Sequence, residues 1–423
     1  MNDDFYMRLA IKTAWQYQGL TYPNPAVGCA LLDANGRLLA IEAHKKVGYA
    51  HAELSALWSA VARGSGGSGV AREVLAEVFA ALLEVDKFKP QQIDELIEAI
   101  LSAYSSYELP SLGQSLYIYG EDELREKAGL KRLFEIYSKC KIAADSAFLG
   151  SDFLVLCHNF ILSLPTLLYP ALISRAGRLG LSGGCAYVSL EPCSHTGRTP
   201  PCASLLAALG LARVVIGAND THDIASGGTS ILKAAGVSIS YACESEAREL
   251  LEPFKHWQLG SGFKFAKLAI SINGVVSGGA ISSTLSRMHM HALRTRLELL
   301  AVGGGTIRAD MPRLDARLVK GNAPNVAIFS RGSSVISAPC FFVKGRDVRV
   351  QSELEFSEKF IMFEGAQGLF ELLCSGALGV DMVLIYQSSE FKNGKNLSLD
   401  LNLIPIYEDR LEEDRYGWYR LKA

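Results

Sequence analysis

Ser189-Leu190-Glu191-Pro192-Cys193-Ser194-His195-Thr196-Gly197-Arg198-Thr199-Pro200-Pro201-Cys202 is the most informative stretch of the chain, read with His51-Ala52-Glu53 far upstream. A metal ion that activates water needs three protein ligands and one open position. One imidazole and two thiolates meet that need and neutralise Zn²⁺, which makes His51, Cys193 and Cys202 the candidate ligands. Cys202 follows Pro200-Pro201, and proline is favoured in a helix's first turn. A cysteine at a helix N-terminus has its thiolate stabilised by the unpaired amides there. The two cysteines are nine positions apart, wider than a compact Pro-Cys-x-x-Cys pair, so spacing alone leaves His195 as a rival ligand.

Glu53 lies two residues beyond His51 and can open the same helix without ligating. There it is placed to take a proton from water and pass it to a leaving amine, as in zinc nucleobase deaminases. A lone His-x-Glu is ordinarily a surface coincidence, and a buried cysteine ordinarily a small apolar residue. The conjunction of both, flanked by strand and helix patterns, carries the catalytic reading.

Outward from these motifs the chain alternates strands and helices. Phe5, Leu9, Ala10 and Ala14 mark a first helix, followed by strands over 26–32 and 37–43 and a helix from His51. Further strands are expected at 186–190 and 213–217, with a helix at 203–209 between them. Between the two parts of the metal motif stand Gly64-Ser65-Gly66-Gly67-Ser68-Gly69, a flexible linker by composition, and then a long helical pattern. Residues 64–175 therefore read as a helical insertion. Within it, 153–173 is long and apolar enough to span a bilayer, but His158, Asn159, Pro165 and Pro170 argue for a buried or groove-lining segment. Strands at 264–270, 299–302, 325–329, 360–363 and 382–386, with helices at 285–295 and 369–373, announce a second α/β domain.

The 423 residues exceed one ordinary domain, and 49% hydrophobic with 20% charged residues excludes a disordered chain. With 42 basic against 44 acidic residues there is no cationic field to recruit nucleic acid or an anionic membrane. Nine cysteines are too sparse for a disulfide scaffold, and the opening MNDDFYMRLAIK lacks the basic and apolar regions of a secretory signal. A cytoplasmic protein is expected, with no nucleic-acid or membrane partner; homo-oligomerisation stays open.

The motifs resemble those of the bifunctional riboflavin-biosynthesis deaminase/reductase family. Thr21-Tyr22-Pro23-Asn24-Pro25-Ala26-Val27-Gly28-Cys29 is similar to its TxPNPxVG segment, and His44, Gly48 and His51-Ala52-Glu53 to its H…G..HAE segment. The 189–202 loop matches its long LEPCSHxGRTPPC run, which accounts for the nine-residue cysteine spacing. The resemblance implies His51, Cys193 and Cys202 as zinc ligands and Glu53 as proton shuttle. The implied substrate is a diaminopyrimidinone bearing a ribosylamino 5′-phosphate. Asn24 has an amide able to pair with its ring edge, and His44 and Arg198 are candidates to hold the sugar phosphate.

In the C-terminal half no Gly-x-Gly-x-x-Gly fingerprint is present. Lys267-Leu268-Ala269-Ile270-Ser271-Ile272-Asn273-Gly274 nevertheless resembles the family's KLAxSLDG segment. Thr306, Asp310-Met311-Pro312, Leu314 and Arg317 follow its TxxxDxPxLxxR run, and Glu364-Gly365 its EGG loop. The likeness implies that Ile270, Thr306, Asp310 and the turn Ala366, Gln367, Gly368, Leu369, Phe370, Glu371 and Leu372 hold NADPH. It implies that Lys267, Arg294, Leu314, Arg317 and Glu364 hold the phosphoribosyl substrate. Asn273 stands where the family has aspartate and Ala366 where it has glycine. The expected architecture is a cytidine-deaminase-like three-layer α/β domain over 1–63 and 176–250, interrupted by the insertion, and a dihydrofolate-reductase-like domain over 251–423. A nucleic-acid-editing deaminase and a zinc-stabilised scaffold are the rival readings; no basic groove with stacking aromatics favours the former.

Overall fold

The computed structural model describes residues 2–64, 68–82, 90–106, 115–119, 131, 133, 151–197, 199–220, 227–330 and 338–422. Most residues up to Glu252 form one compact unit, and Pro253–Ala423 make up the body of a second.

In the first unit, helix α1 (Asp3–Trp15) leads to the antiparallel strands β1 (Gly28–Leu32) and β2 (Leu38–Ala43), then to α2 (Ala52–Arg63). Among the described residues the inserted helices include α3 (Ser68–Leu82), α4 (Pro90–Ser106), α5 (Ser151–Leu162) and α6 (Pro165–Ile173). The chain then returns through β3 (Cys185–Leu190), α7 (Cys202–Ala208), β4 (Arg213–Ala218), α8 (Gly228–Ala234), β5 (Ser238–Tyr241) and α9 (Glu244–Leu250). Strand order is β2-β1-β3-β4-β5, antiparallel around β1 and parallel from β3 to β5. Every residue of β1 and β3 is buried, as a sheet covered on both faces requires. α1 and α2 both pack on β1, and Gly28 sets how close α1 comes: a Cβ there would meet the Ala10 carbonyl oxygen at 1.9 Å.

Among the described residues no single helix is long and apolar enough to cross a membrane. The apolar stretch at 153–173 is instead two helices bent by 81°, with Pro165 at the favoured first position of the second. His158 and Asn159 are fully buried in it. A chain of polar contacts explains how His158 is accommodated. The Trp58 indole N–H donates to the Tyr104 hydroxyl at 2.8 Å, so the Tyr104 proton goes on to His158 Nδ1 at 2.9 Å. His158 Nε2 then faces Glu42 at 3.3 Å, and Glu42 also meets Lys45 at 3.6 Å and accepts from Ser59 at 2.8 Å. These links join α4 and α5 of the insertion to β2 and α2 of the core.

The second unit opens with α10 (Glu252–Leu259) and β6 (Phe263–Ser271), followed by α11 (Thr284–Arg294), β7 (Leu299–Gly303) and α12 (Gly304–Asp310). β8 (Asn325–Phe329), β9 (Val348–Gln351), β10 (Phe360–Glu364), α13 (Gln367–Cys374) and β11 (Met382–Ser388) continue it. A hairpin of β12 (Leu403–Leu411) and β13 (Asp414–Leu421) ends the chain. The eight strands run in the order β12-β13-β11-β6-β10-β7-β8-β9, parallel from β11 to β9. The short outer strands β5 and β9 and the β12–β13 hairpin are absent from the sequence reading. They are half-exposed and rich in polar residues, without the continuous apolar runs that mark the inner strands.

Burial favours the neutral Glu42 carboxyl, but Lys45, His158 and Ser59 overcome it and hold the group down to about 2 from an ordinary 4.5. Its contribution to stability is therefore complete above about pH 4.5 and drains away as pH falls toward 2. Burial, then Lys45, lowers His158 below its ordinary 6.5, so acid also favours the unfolded chain through this ring. Glu42→Gln is expected to flatten the acid limb of the stability profile while destabilising the neutral protein, because Lys45 loses its buried partner. Denaturant unfolding measured from pH 7 to pH 3 checks this; parallel profiles for variant and wild type would refute it.

Candidate metal site and candidate reductase site

His51 stands at the N-cap of α2 with extended backbone, and its side chain makes no capping hydrogen bond. Cys193 lies just beyond β3, and Cys202 is the first residue of α7, behind the N-capping Pro201. The Cys193 and Cys202 sulfurs lie 3.7 and 3.6 Å from His51 Nδ1, and one ligand atom from each of the three lies within 4.8 Å of the others. The loop is held from two sides. The Ala203 N–H donates to the Cys193 carbonyl at 3.1 Å, and the Cys202 N–H donates to the Cys193 sulfur at 3.4 Å. At Gly228, which opens α8, a Cβ would sit 1.8 Å from the Pro192 carbonyl oxygen, so only glycine lets α8 pack this closely behind Cys193.

The residues fit zinc by donor chemistry. Hydrogen bonding from Cys202 pulls the Cys193 thiol toward thiolate against the cost of burial, and His51 assists. Thr199, which sequence reasoning passed over, completes the arrangement: its hydroxyl lies 2.8 Å from His51 Nε2. A proton on Nε2 directed at Thr199 leaves the Nδ1 lone pair facing the two sulfurs. The only sequence signal for Thr199 is its place inside the cysteine loop. His195 is exposed and outside the cluster, which removes it as a rival to the three ligands.

Glu53 sits in the first turn of α2 and is 4% exposed. Burial, then the Cys193 charge, raises its carboxyl above the ordinary range, and the Cys202 sulfur is within its hydrogen-bonding reach. Asn24 and His44 also come together. The Ala50 carbonyl can only accept, so His44 Nδ1 donates to it at 3.1 Å, and Nε2 accepts from the Asn24 amide at 3.1 Å. Burial, then the neighbouring His51, lowers His44 to about 3. Both ring nitrogens of His44 are thus engaged, one by the Ala50 carbonyl and the other by Asn24. Arg198 lies outside the described residues.

In the second unit Lys267 on β6 and Glu364 on β10 are register partners. Glu364 accepts from Lys267 at 3.1 Å with one oxygen and from Arg294 at 2.7 Å with the other. Burial would raise this carboxyl, but Arg294 and Lys267 hold it well below the usual range. Arg294 also donates to the Asp315 carbonyl at 2.8 Å, and the Asp315 carboxylate pairs with Arg313 and Arg317. Asp315, missed in the sequence, thus joins Arg294 to Arg317. Four cations against two carboxylates leave this cluster with surplus positive charge. Leu314 holds a positive φ of 54° and is 4% exposed; its carbonyl accepts from Arg346 at 2.5 Å, so it shapes the turn more than it offers a surface.

The expected cofactor residues divide. Gly303 and Gly305, ahead of Thr306 and Asp310, have open space where a side chain would begin, room for a ligand to approach the backbone. Ala366, Gln367, Gly368 and Glu371 are at least partly exposed. Phe370 is corrected: it is fully buried in the hydrophobic core, against which Ile270, Leu369 and Leu372 also pack. Helical periodicity turns those positions of α13 inward. Asn273 proves to be a structural tie, accepting from Ser271 at 2.7 Å and from the Lys392 N–H at 3.0 Å and donating to the Lys392 carbonyl at 2.9 Å.

Residues 1–77 match the model of the cytidine and deoxycytidylate deaminase zinc-binding region. The riboflavin biosynthesis protein RibD of Actinobacillus pleuropneumoniae is 34% identical over 152 residues, covering 34% of this chain and 40% of that protein. That of Escherichia coli K12 is 38% identical over 143 residues, 32% of this chain and 39% of its own. The matched stretch thus spans about two fifths of these relatives' length. Along nearly the full chain, the fold is similar to a diaminohydroxyphosphoribosylaminopyrimidine deaminase/5-amino-6-(5-phosphoribosylamino)uracil reductase from Thermotoga maritima, with a TM-score of 0.50, 18% identity and 99% of both chains covered. RibD of Acinetobacter baumannii gives a TM-score of 0.50 at 19% identity, covering 100% of this chain and 99% of that one. The chain is therefore similar to the bifunctional riboflavin-biosynthesis deaminase/reductases, in sequence over about a third of its length and in fold along nearly all of it.

Proposed function

We propose that the chain is a bifunctional enzyme of riboflavin biosynthesis, with residues 1–63 and 176–250 as zinc deaminase, 64–175 as helical insertion and 251–423 as NADPH-dependent reductase. The observation that carries this reading is the convergence of His51, Cys193 and Cys202 beside the buried Glu53. Zinc held there would supply Lewis-acid activation of water. The substrate is 2,5-diamino-6-ribosylamino-4(3H)-pyrimidinone 5′-phosphate. Asn24, steered by His44, offers its amide to the edge of the pyrimidine. Glu53 takes a proton from the attacking water on a carboxylate oxygen and returns it to the leaving amino nitrogen; the C–N bond breaks, ammonia departs, and the added hydroxyl becomes a carbonyl as its proton passes to the ring nitrogen.

In the reductase half, NADPH would supply the reducing equivalents that convert the ribosylamino group to ribitylamino. Gly303, Gly305, Thr306, Asp310 and the exposed part of the 366–371 turn form its proposed cradle. Lys267, Arg294 and Arg317, spaced by Glu364 and Asp315, present the positive surplus that suits a sugar phosphate. A small-molecule substrate and a cytoplasmic setting accord with the near-neutral charge balance.

Cys193→Ser and Cys202→Ser are each expected to lower bound zinc below one ion per chain and to abolish ammonia release. Glu53→Gln should retain zinc yet lose about 10²–10⁴-fold in deamination, with reduction of the deaminated substrate unchanged. Zinc analysis and ammonia assay of the same preparations decide this; near-normal turnover in Glu53→Gln would remove Glu53 from its role.

For the reductase, Arg317→Ala is expected to raise KM for the phosphoribosyl substrate about tenfold or more, the cost of a lost charged hydrogen bond, with KM for NADPH little changed. Steady-state kinetics in both substrates test this, and a change confined to the dinucleotide would reverse the assignment of the two sides.

A further inference from the structure

We infer that the inserted helices α5 and α6 brace the metal site, with Tyr169 as a positioning residue for the Cys202 turn. The inference rests on the zinc reading above and adds to the core a part of the site that its motifs do not contain. Two independent hydrogen bonds carry it. The Ala50 N–H, one residue before His51, donates to the Leu162 carbonyl at the end of α5 at 2.7 Å. The Tyr169 hydroxyl on α6 donates to the Pro201 carbonyl, one residue before Cys202, at 3.1 Å. Both halves of the metal site are thus held, one residue upstream of a ligand, by a single inserted helix pair.

The packing agrees with the hydrogen bonds. α6 lies against both α2, which carries Glu53, and α7, which begins with Cys202. Tyr169 is 9% exposed, so its hydroxyl is spared most competition from water. The Ala50 carbonyl is engaged as well, accepting from His44 at 3.1 Å and from the Ser55 hydroxyl at 3.4 Å, so the residue pinned by α5 also fixes the ring that steers Asn24. Midway along the insertion, the Ile118 carbonyl accepts from Lys46 at 2.6 Å. A detachable appendage or partner surface, the simplest expectation for a long helical insertion, would not place backbone groups of the core in such contacts.

Residues that orient ligands from behind act on metal affinity, and losing one typically costs about 10–100-fold. Tyr169→Phe keeps the ring and removes only the donated proton. Zinc affinity measured by chelator competition should weaken about tenfold or more, and the visible spectrum of the Co²⁺-substituted protein should shift as Cys202 changes its approach. Arg175→Gln breaks partly exposed ion pairs to Glu73 and Glu77 on α3, within the insertion, and serves as the control, losing stability without altering zinc affinity. Wild-type metal binding with unchanged affinity and spectrum in Tyr169→Phe would overturn the brace and leave the zinc site standing, and so would a loss of turnover with both metal readouts unaltered. A wild-type chain that binds neither Zn²⁺ nor Co²⁺ would overturn the zinc reading itself, and the brace with it.

Discussion

Three ligand atoms from segments more than 130 residues apart must meet within a few ångströms, and most of the first unit can be understood as the means of holding them there. β1 and β3 lie side by side, so the helix after β2 and the loop after β3 face the same region. Gly28 seats α1 against one side of β1, and Gly228 seats α8 behind Pro192. A Cβ at either position would overlap a backbone oxygen, and backbone cannot swing aside as a side chain can. Thr199 sets its hydroxyl 2.8 Å from Nε2 of His51, while Nδ1 faces the sulfurs.

The second unit uses a different device. Its site is a lattice of alternating charges in which Glu364 and Asp315 space Lys267, Arg294, Arg313 and Arg317 apart. Each carboxylate relieves repulsion among its cations without neutralising the whole. Side chains already held in ion pairs have less freedom left to lose when a ligand binds.

Much of this was legible in the residues, and the reasons differ by element. The inner strands and the helix opening at Ala52 follow from apolar runs and from the punctuation of Asp33-Ala34-Asn35-Gly36. The ligands could be named because few chemical purposes explain His51, Glu53 and two cysteines in a proline-framed loop. Thr199 and Asp315 were not legible, since a threonine or aspartate in a loop has many uses and only distance reveals its partner. Phe370 misled for a related reason: a motif transfers a stretch of chain, whereas the 3.6-residue period of a helix turns one face of that stretch into the core. Tyr169 could not be found from sequence at all, because its partner is a backbone carbonyl, which has no signature.

The bond between Leu162 and Ala50 has a further consequence for the order in which the molecule is made. His51 leaves the ribosome well before Cys193, on the order of ten seconds earlier at ordinary synthesis rates. The inserted helices emerge in that interval. A nascent chain that has completed α5 can therefore fix the segment before His51 while the cysteine loop is still inside the tunnel. α6 then presents Tyr169 to a turn that has yet to appear. Lengthening the path between the two halves of a metal site ordinarily slows their meeting. Here the added length carries contacts to both halves, Leu162 to Ala50 and Tyr169 to Pro201.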